Sequence, residues 1–199
     1  IISGGSTGQL YAQITNGAPY DVFLSADGAR PRLLEQTGGG VAGTRFTYAV
    51  GRLTLWSAAP GLIGPEGAAL LQAGDFRSLA IANPALAPYG LAAKQTLEKL
   101  GLWERLAGRI VLGENIGQTF AMAHTGNADA GFVALSQVLD APGPPGSRWD
   151  VPAAMHDPIV QQAILLERGR DKPAALAFMR FLRGDDARRV ITGAGYALE

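Results

Sequence analysis

The chain has 199 residues, with 17 basic and 17 acidic side chains, no cysteine, and 47% hydrophobic against 17% charged residues. Balanced charge, with no basic cluster longer than Ala187-Arg188-Arg189, excludes a nucleic-acid footprint; the lack of cysteine excludes thiol catalysis, Cys-ligated metal and disulfides, and suits cytoplasm and periplasm equally. No apolar run reaches the roughly 18 residues of a membrane helix, and the length suits one large domain or two lobes of about 100 residues each.

In chain order, Ile1-Ile2 reads as the tail of a buried strand, with no Met or signal sequence before it, as in a fragment or trimmed chain. A Gly- and hydroxyl-rich loop, Ser3 to Gly8, leads into a short helix over Leu10–Gly17, with Leu10, Tyr11 and Ile14 on one face and Asn16-Gly17 as its stop. Residues 21–27 read as a strand, and Pro31–Gly38 as a helix with Pro near its start and Gly just past its end. Thr44–Ala58 is strand-like with a break at Gly51, Glu66–Gly74 helical, and Ser78–Asn83 a short buried strand. Leu91–Trp103 carries the clearest helical pattern, with Leu91, Ala93, Leu97 and Leu100 as its apolar face. A strand over Arg109–Gly113, a helix over Gln118–Asn127 and an apolar strand over Ala130–Val138 follow. Ala141–Pro152 is rich in Pro and Gly and reads as a surface loop. Ile159–Glu167 resumes as a strand, and Lys172–Tyr196 closes the chain with one or two helices. Repeated strand-helix-strand units predict an α/β protein with largely parallel sheets.

Several chemistries are open to test. Gly38, Gly40 and Gly43 match a dinucleotide fingerprint, but they follow a helix and lead into a strand, the reverse of what that motif needs, and so read as a turn. The stretch Gly4 to Gln9 lacks the lysine of a phosphate-binding loop. Ser6, His156 and Asp157 supply the residue types of a serine hydrolase triad, although Ser6 lies outside a G-x-S-x-G elbow and His156 and Asp157 are chain neighbours. His124 sits late in a helix, where a cation suits the dipole; two isolated histidines do not make a metal site.

Three Gly-bearing loops each precede a helix: Gly4 to Gly8, Pro88 to Gly90, and Glu114 to Gly117. A helix start presents unpaired backbone N–H groups and the positive end of the macrodipole, a site for an anion that needs no Lys or Arg. Neutral donors alone hold a fully ionised dianion through charge-assisted hydrogen bonds. Taken singly, each loop is equally well explained as a helix cap.

The stretches GSTGQLYAQITNGAPYDVFLSAD, YAVGRLTLWS, IANPALAPYGLAAKQTLEKLGLW, GENIGQTFAMAHTGNADAGFVALSQV and FLRGDDARRVITGAGYAL, in this order, resemble the periplasmic molybdate-binding components of ABC transporters. The resemblance implies an α/β, two-lobed periplasmic-binding-protein fold with the ligand cleft between lobes, residues 1–50 and 160–199 forming lobe I and 51–159 lobe II. It implies a monomeric binding protein, not an enzyme, that takes molybdate, and with it tungstate, to a membrane permease in the periplasm, with no cofactor beyond that ligand and no nucleic-acid partner. Matched positions for the oxyanion are Thr7 with Ser6 beside it, Tyr89 through its amide, and the amide of Ile116. Some members add a tyrosine hydroxyl where this chain has Ala134. The family begins with a further strand and a Ser- or Thr-bearing loop, and this chain starts after both; the expectation is an N-terminally truncated lobe I and a weaker hold on the ligand. A sulfate or phosphate binder, with Glu114 as acceptor for a phosphate proton, and the ligand-sensing domain of a transcription regulator are the alternatives within the same fold.

Overall fold

The computed structural model describes residues 1–143 and 145–198. They form two compact units. One comprises Ile1, Ser3–Ser6 and Arg52–Pro158; the other comprises Ile2, Thr7–Gly51 and the chain from Ile159 onward.

The larger unit is built on a five-stranded sheet of order β5-β4-β6-β3-β7, with β3 Leu53–Ser57, β4 Leu79–Ala82, β5 Ile110–Gly113, β6 Ala130–Ala134 and β7 Ser147–Asp150. β5, β4 and β6 run parallel, while β3 is antiparallel to β6 and β7. The helices are α3 Ala68–Ala73, α4 Pro88–Lys99, α5 Trp103–Leu106, α6 Ile116–His124 and α7 Leu135–Leu139. β3, β4 and β6 are buried at every position, as befits strands covered on both faces. Leu55, Trp56, Leu79, Ile81, Phe132 and Leu97 are at the centre of the core.

The smaller unit carries a three-stranded sheet of order β1-β8-β2, from β1 Val22–Ser25, β2 Phe46–Gly51 and β8 Ile159–Leu165. Its helices are α1 Thr7–Thr15, α2 Ala29–Gln36, α8 Pro173–Leu182 and α9 Asp185–Gly193. Phe23, Leu34, Ile164 and Leu166 form one cluster, against which Leu10, Tyr11 and Ile14 of α1 pack, and Ala163, Leu165, Ala175, Met179 and Leu182 form another under α8.

Five expectations are corrected. The sheets are not largely parallel: β8 is antiparallel to both its neighbours, because the strand that returns from the larger unit enters the middle of the smaller sheet. The strand-like run Thr44–Ala58 serves both sheets, changing at Arg52, so β2 ends at Gly51 and β3 starts at Leu53. The strand expected over Ala130–Val138 stops at Ala134 and becomes α7, a turn closed by the Ala134 N–H donating to Gln137 Oε1 at 3.1 Å. The loop expected over Ala141–Pro152 contains β7, which pairs with β3 through Leu55 and Trp149. Ile1 and Ile2 lie fully exposed and outside any strand.

α4 also differs in the face that it buries. Leu91 is exposed and Leu100 only half-buried, whereas Tyr89, Gly90, Ala92, Ala93, Thr96 and Leu97 are buried. Close approach to β4 is what selects them: a Cβ on Gly90 would collide with the carbonyl of Ala82, so small residues, not the largest apolar ones, face the sheet.

Candidate functional site

In the larger unit the C-terminal ends of three parallel strands lie side by side. Ala82 pairs with Gly113, and the Asn83 N–H donates to the Gly113 carbonyl at 2.8 Å. A helix leaves each end: α4 after β4, α6 after β5 and α7 after β6. In open α/β sheets this edge is where ligands bind. Tyr89 and Ile116 both stand on it, and each lies in the first turn of its helix.

That first turn is a correction to where the helices begin. α1 starts at Thr7 instead of Leu10, α4 at Pro88 instead of Leu91, and α6 at Ile116 instead of Gln118. Thr7, Tyr89 and Ile116 therefore each lie in the first turn of a helix. Pro88 occupies the first position of α4 and has no N–H, and Tyr89, whose side chain is buried, follows it. In α6, Asn115 is the cap: its Oδ1 accepts from the Gln118 N–H at 3.0 Å. The Thr119 hydroxyl donates to the Asn115 carbonyl at 2.9 Å, and the Glu114 N–H donates to Gln118 Oε1 at 2.6 Å. These bonds hold the loop and leave the amides of Ile116 and Gly117 as the outward donors of the helix start. Glu114 itself is exposed.

Thr7, the first residue of the smaller unit's α1, is buried, and so is Ser6, which precedes it in the chain and belongs to the larger unit. The Thr7 Oγ1 accepts from the Ala26 N–H at 3.0 Å, just past the end of β1. A hydroxyl whose oxygen accepts from the backbone still has its own proton to donate, so this bond orients Thr7 as a donor. The nearby cation Arg30 is spent on Asp27, whose carboxylate also accepts the Arg30 N–H at 2.9 Å.

The triad residues are not assembled for hydrolysis. The carboxylate of Asp157 accepts from Gln95 Nε2 at 2.7 Å, and the Asp157 N–H donates to Gln95 Oε1 at 3.0 Å. His156 Nδ1 lies 2.7 Å from the carbonyl, not the carboxylate, of Asp157. Gly38 and Gly43 have positive φ, and Gly40 bridges to Leu166, so the glycine cluster is a turn. His124 stacks on Trp56 and Phe120, and its Nδ1 is buried with no hydrogen-bond partner. Among the described residues no three His, Cys, Asp or Glu side chains gather as metal ligands.

A cavity of about 940 Å³ lies in the larger unit, lined by Ser57, Phe76, Arg77, Arg109 and Asp129 among others. It sits at the opposite strand ends, since Asp129 precedes β6 and Arg77 precedes β4. Arg77, Asp129, Arg109 and Ser57 in its lining all bond within the protein. Arg77 pairs with Asp129 at 2.7 Å, and the Asp129 carboxylate also accepts the Arg77 and Ser78 N–H groups. The guanidinium bond, first, and these amides hold that carboxyl below its ordinary pKa against the opposing effect of burial. Arg109 donates to the carbonyls of Gly74 and Phe76, and the Ser57 hydroxyl donates to that of Asp129 at 2.6 Å.

One residue of the ligand-facing edge escaped the sequence reading. Gln137 donates through Nε2 to the Ile116 carbonyl at 3.2 Å and accepts from Ala134, tying α6 to α7. Its signal was its place three residues after a strand end, the position from which a Gln side chain reaches back to the turn.

Residues 1–197 match the family model of bacterial extracellular solute-binding proteins. The chain is 51% identical over 200 residues to the molybdate-binding protein ModA of Azotobacter vinelandii, covering all of this chain and 79% of that protein. It is 47% identical to ModA of Rhodobacter capsulatus, covering 98% of this chain and 76% of the relative. The solved structure of the Azotobacter vinelandii periplasmic molybdate-binding protein superposes with a TM-score of 0.95 at 46% identity, over all of this chain and 87% of the other. On the match of residues 1–197 and the 51% identity to ModA of Azotobacter vinelandii, the chain belongs to the bacterial extracellular solute-binding proteins.

Proposed function

We propose that this protein binds molybdate, and tungstate with it, in the periplasm and delivers it to the permease of an ABC transporter. The observation that carries this reading is the donor set: a buried hydroxyl at Thr7 oriented by Ala26, and first-turn amides at Tyr89, Ile116 and Gly117, all neutral. Such donors suit an oxyanion without protons, because each gives a hydrogen: an amide N–H cannot accept one, and the Thr7 oxygen already accepts from Ala26. A protonated phosphate needs an acceptor as well, and Glu114, the carboxylate nearest in sequence, is exposed. Two relatives named as molybdate-binding proteins, at 51% and 47% identity, select molybdate over sulfate.

The smaller unit serves as lobe I and the larger as lobe II in this reading, and Ser6, Thr7, Tyr89 and Ile116 are its oxyanion-binding residues. The protein acts as a monomer and engages no nucleic acid, in keeping with its zero net charge.

A thermal-shift screen tests the proposal. A ligand that binds only the folded state adds about 2.7 kcal/mol at 100 times its Kd, so molybdate and tungstate raise the melting temperature while sulfate and phosphate at equal concentration move it less. A melting temperature unmoved by molybdate and tungstate would overturn the assignment.

A further inference from the structure

We infer that Gln137 is a positioning residue for anion capture, which it serves by aligning the peptide between Ile116 and Gly117; the inference rests on the proposed oxyanion role of the α6 start. Both ends of its side-chain amide are spent on backbone. Oε1 accepts from Ala134 at the end of β6, and Nε2 donates to the Ile116 carbonyl at the start of α6. One half-buried side chain thus connects two neighbouring strand-to-helix turns.

The geometry of the peptide unit makes the second bond consequential. The carbonyl of Ile116 and the N–H of Gly117 belong to one planar group, so a donor on the oxygen fixes the direction of the N–H on the other side. It also polarises that N–H and strengthens it as a donor. Asn115 already takes the Gln118 amide, which leaves the Gly117 N–H beside that of Ile116. Gly117 is exposed and has no side chain to cover its amide. The first carbonyl of a helix accepts from the residue four places on; Gln137 therefore supplies a second donor to an oxygen with two lone pairs. The β6–α7 turn thus acts on the anion at one remove, through a backbone amide.

Two variants separate positioning from a merely structural tie. Gln137→Met keeps the length and loses both bonds. Gln137→Glu keeps the acceptor for Ala134 and loses the donor to Ile116. Molybdate affinity by calorimetry is expected to fall about five- to tenfold in Gln137→Met, the worth of one hydrogen bond between neutral groups, and at least as far in Gln137→Glu. The Gly117 amide resonance in the proton–nitrogen spectrum of the ligand-free protein is expected to move in both. Affinity within twofold of the unaltered protein in both variants, whatever their melting temperatures, would overturn the inference, because a structural tie alters stability and leaves the donor unchanged. Should the unaltered protein fail to bind molybdate, the functional proposal falls on its own; an unmoved Gly117 resonance in both variants then overturns the positioning role independently.

Discussion

At the scale of single residues, the donors are defined by what their other atoms are doing. The Thr7 oxygen accepts from the Ala26 N–H, and in the proposed function its hydroxyl proton is the one given to the anion. Thr7→Val keeps the shape and removes the hydroxyl. It is expected to weaken molybdate binding by about 10- to 100-fold, the equivalent of about 1.5 to 3 kcal/mol for a hydrogen bond to a charged group, whereas Thr7→Ser retains most of the affinity; calorimetric titration distinguishes them. Away from the donor edge, Asp129 accepts from Arg77 and from two amides, and its pKa is lowered, chiefly by the Arg77 bond. A carboxylate with a depressed folded-state pKa contributes stability above its unfolded pKa and loses it as pH falls through the folded value. Asp129→Asn is therefore expected to cost about 1 kcal/mol at pH 7, with the gap to the unaltered protein closing as the pH falls below about 4. Urea unfolding at a series of pH values measures it; a gap that stays constant into acid would refute the assignment. Residue types were legible in the sequence here, and partners were not. Three Gly-bearing helix entries were visible and the family resemblance picked Thr7, Tyr89 and Ile116 within them, but Ala26 and Gln137 are 19 and 21 residues from the groups they hold.

At the scale of elements, α1, α4 and α6 begin earlier than periodicity predicts, and for one reason. The first turn of a helix is made by capping and small residues that carry no apolar repeat, so Pro88, Tyr89 and Gly90 looked like a loop although they form the start of α4. In the proposed function the same turn both binds and packs. Gly90 lies against the Ala82 carbonyl, and a methyl group there collides with it. Gly90→Ala is expected to destabilise the protein by about 1 to 3 kcal/mol and to weaken ligand binding as well, by displacing the Tyr89 amide. Thermal unfolding and titration of the same variant check both halves. Unchanged stability would show that α4 yields without cost. The strand in the Pro-rich stretch was hidden for a different reason: β7 is four residues long and owes its form to pairing with β3, with Thr54 Oγ1 3.0 Å from the Trp149 carbonyl.

At the scale of the whole molecule, the α/β class, the order of most strands and helices, and the neutrality of the donor set were all determined by the sequence, because they depend on local periodicity, capping chemistry and composition. The resemblance to molybdate-binding components was also present in the residues themselves, at Ser6, Thr7, Tyr89 and Ile116. What only the tertiary structure decided is pairing. It placed β2 and β3, neighbours in one strand-like run, in different sheets, made β8 antiparallel to both partners, and ran β4, β5 and β6 parallel so that the starts of α4, α6 and α7 share one edge. Sheet order and strand direction arise from contacts between residues far apart in the chain, and a local pattern of side chains carries no record of which distant strand will complete its hydrogen bonds.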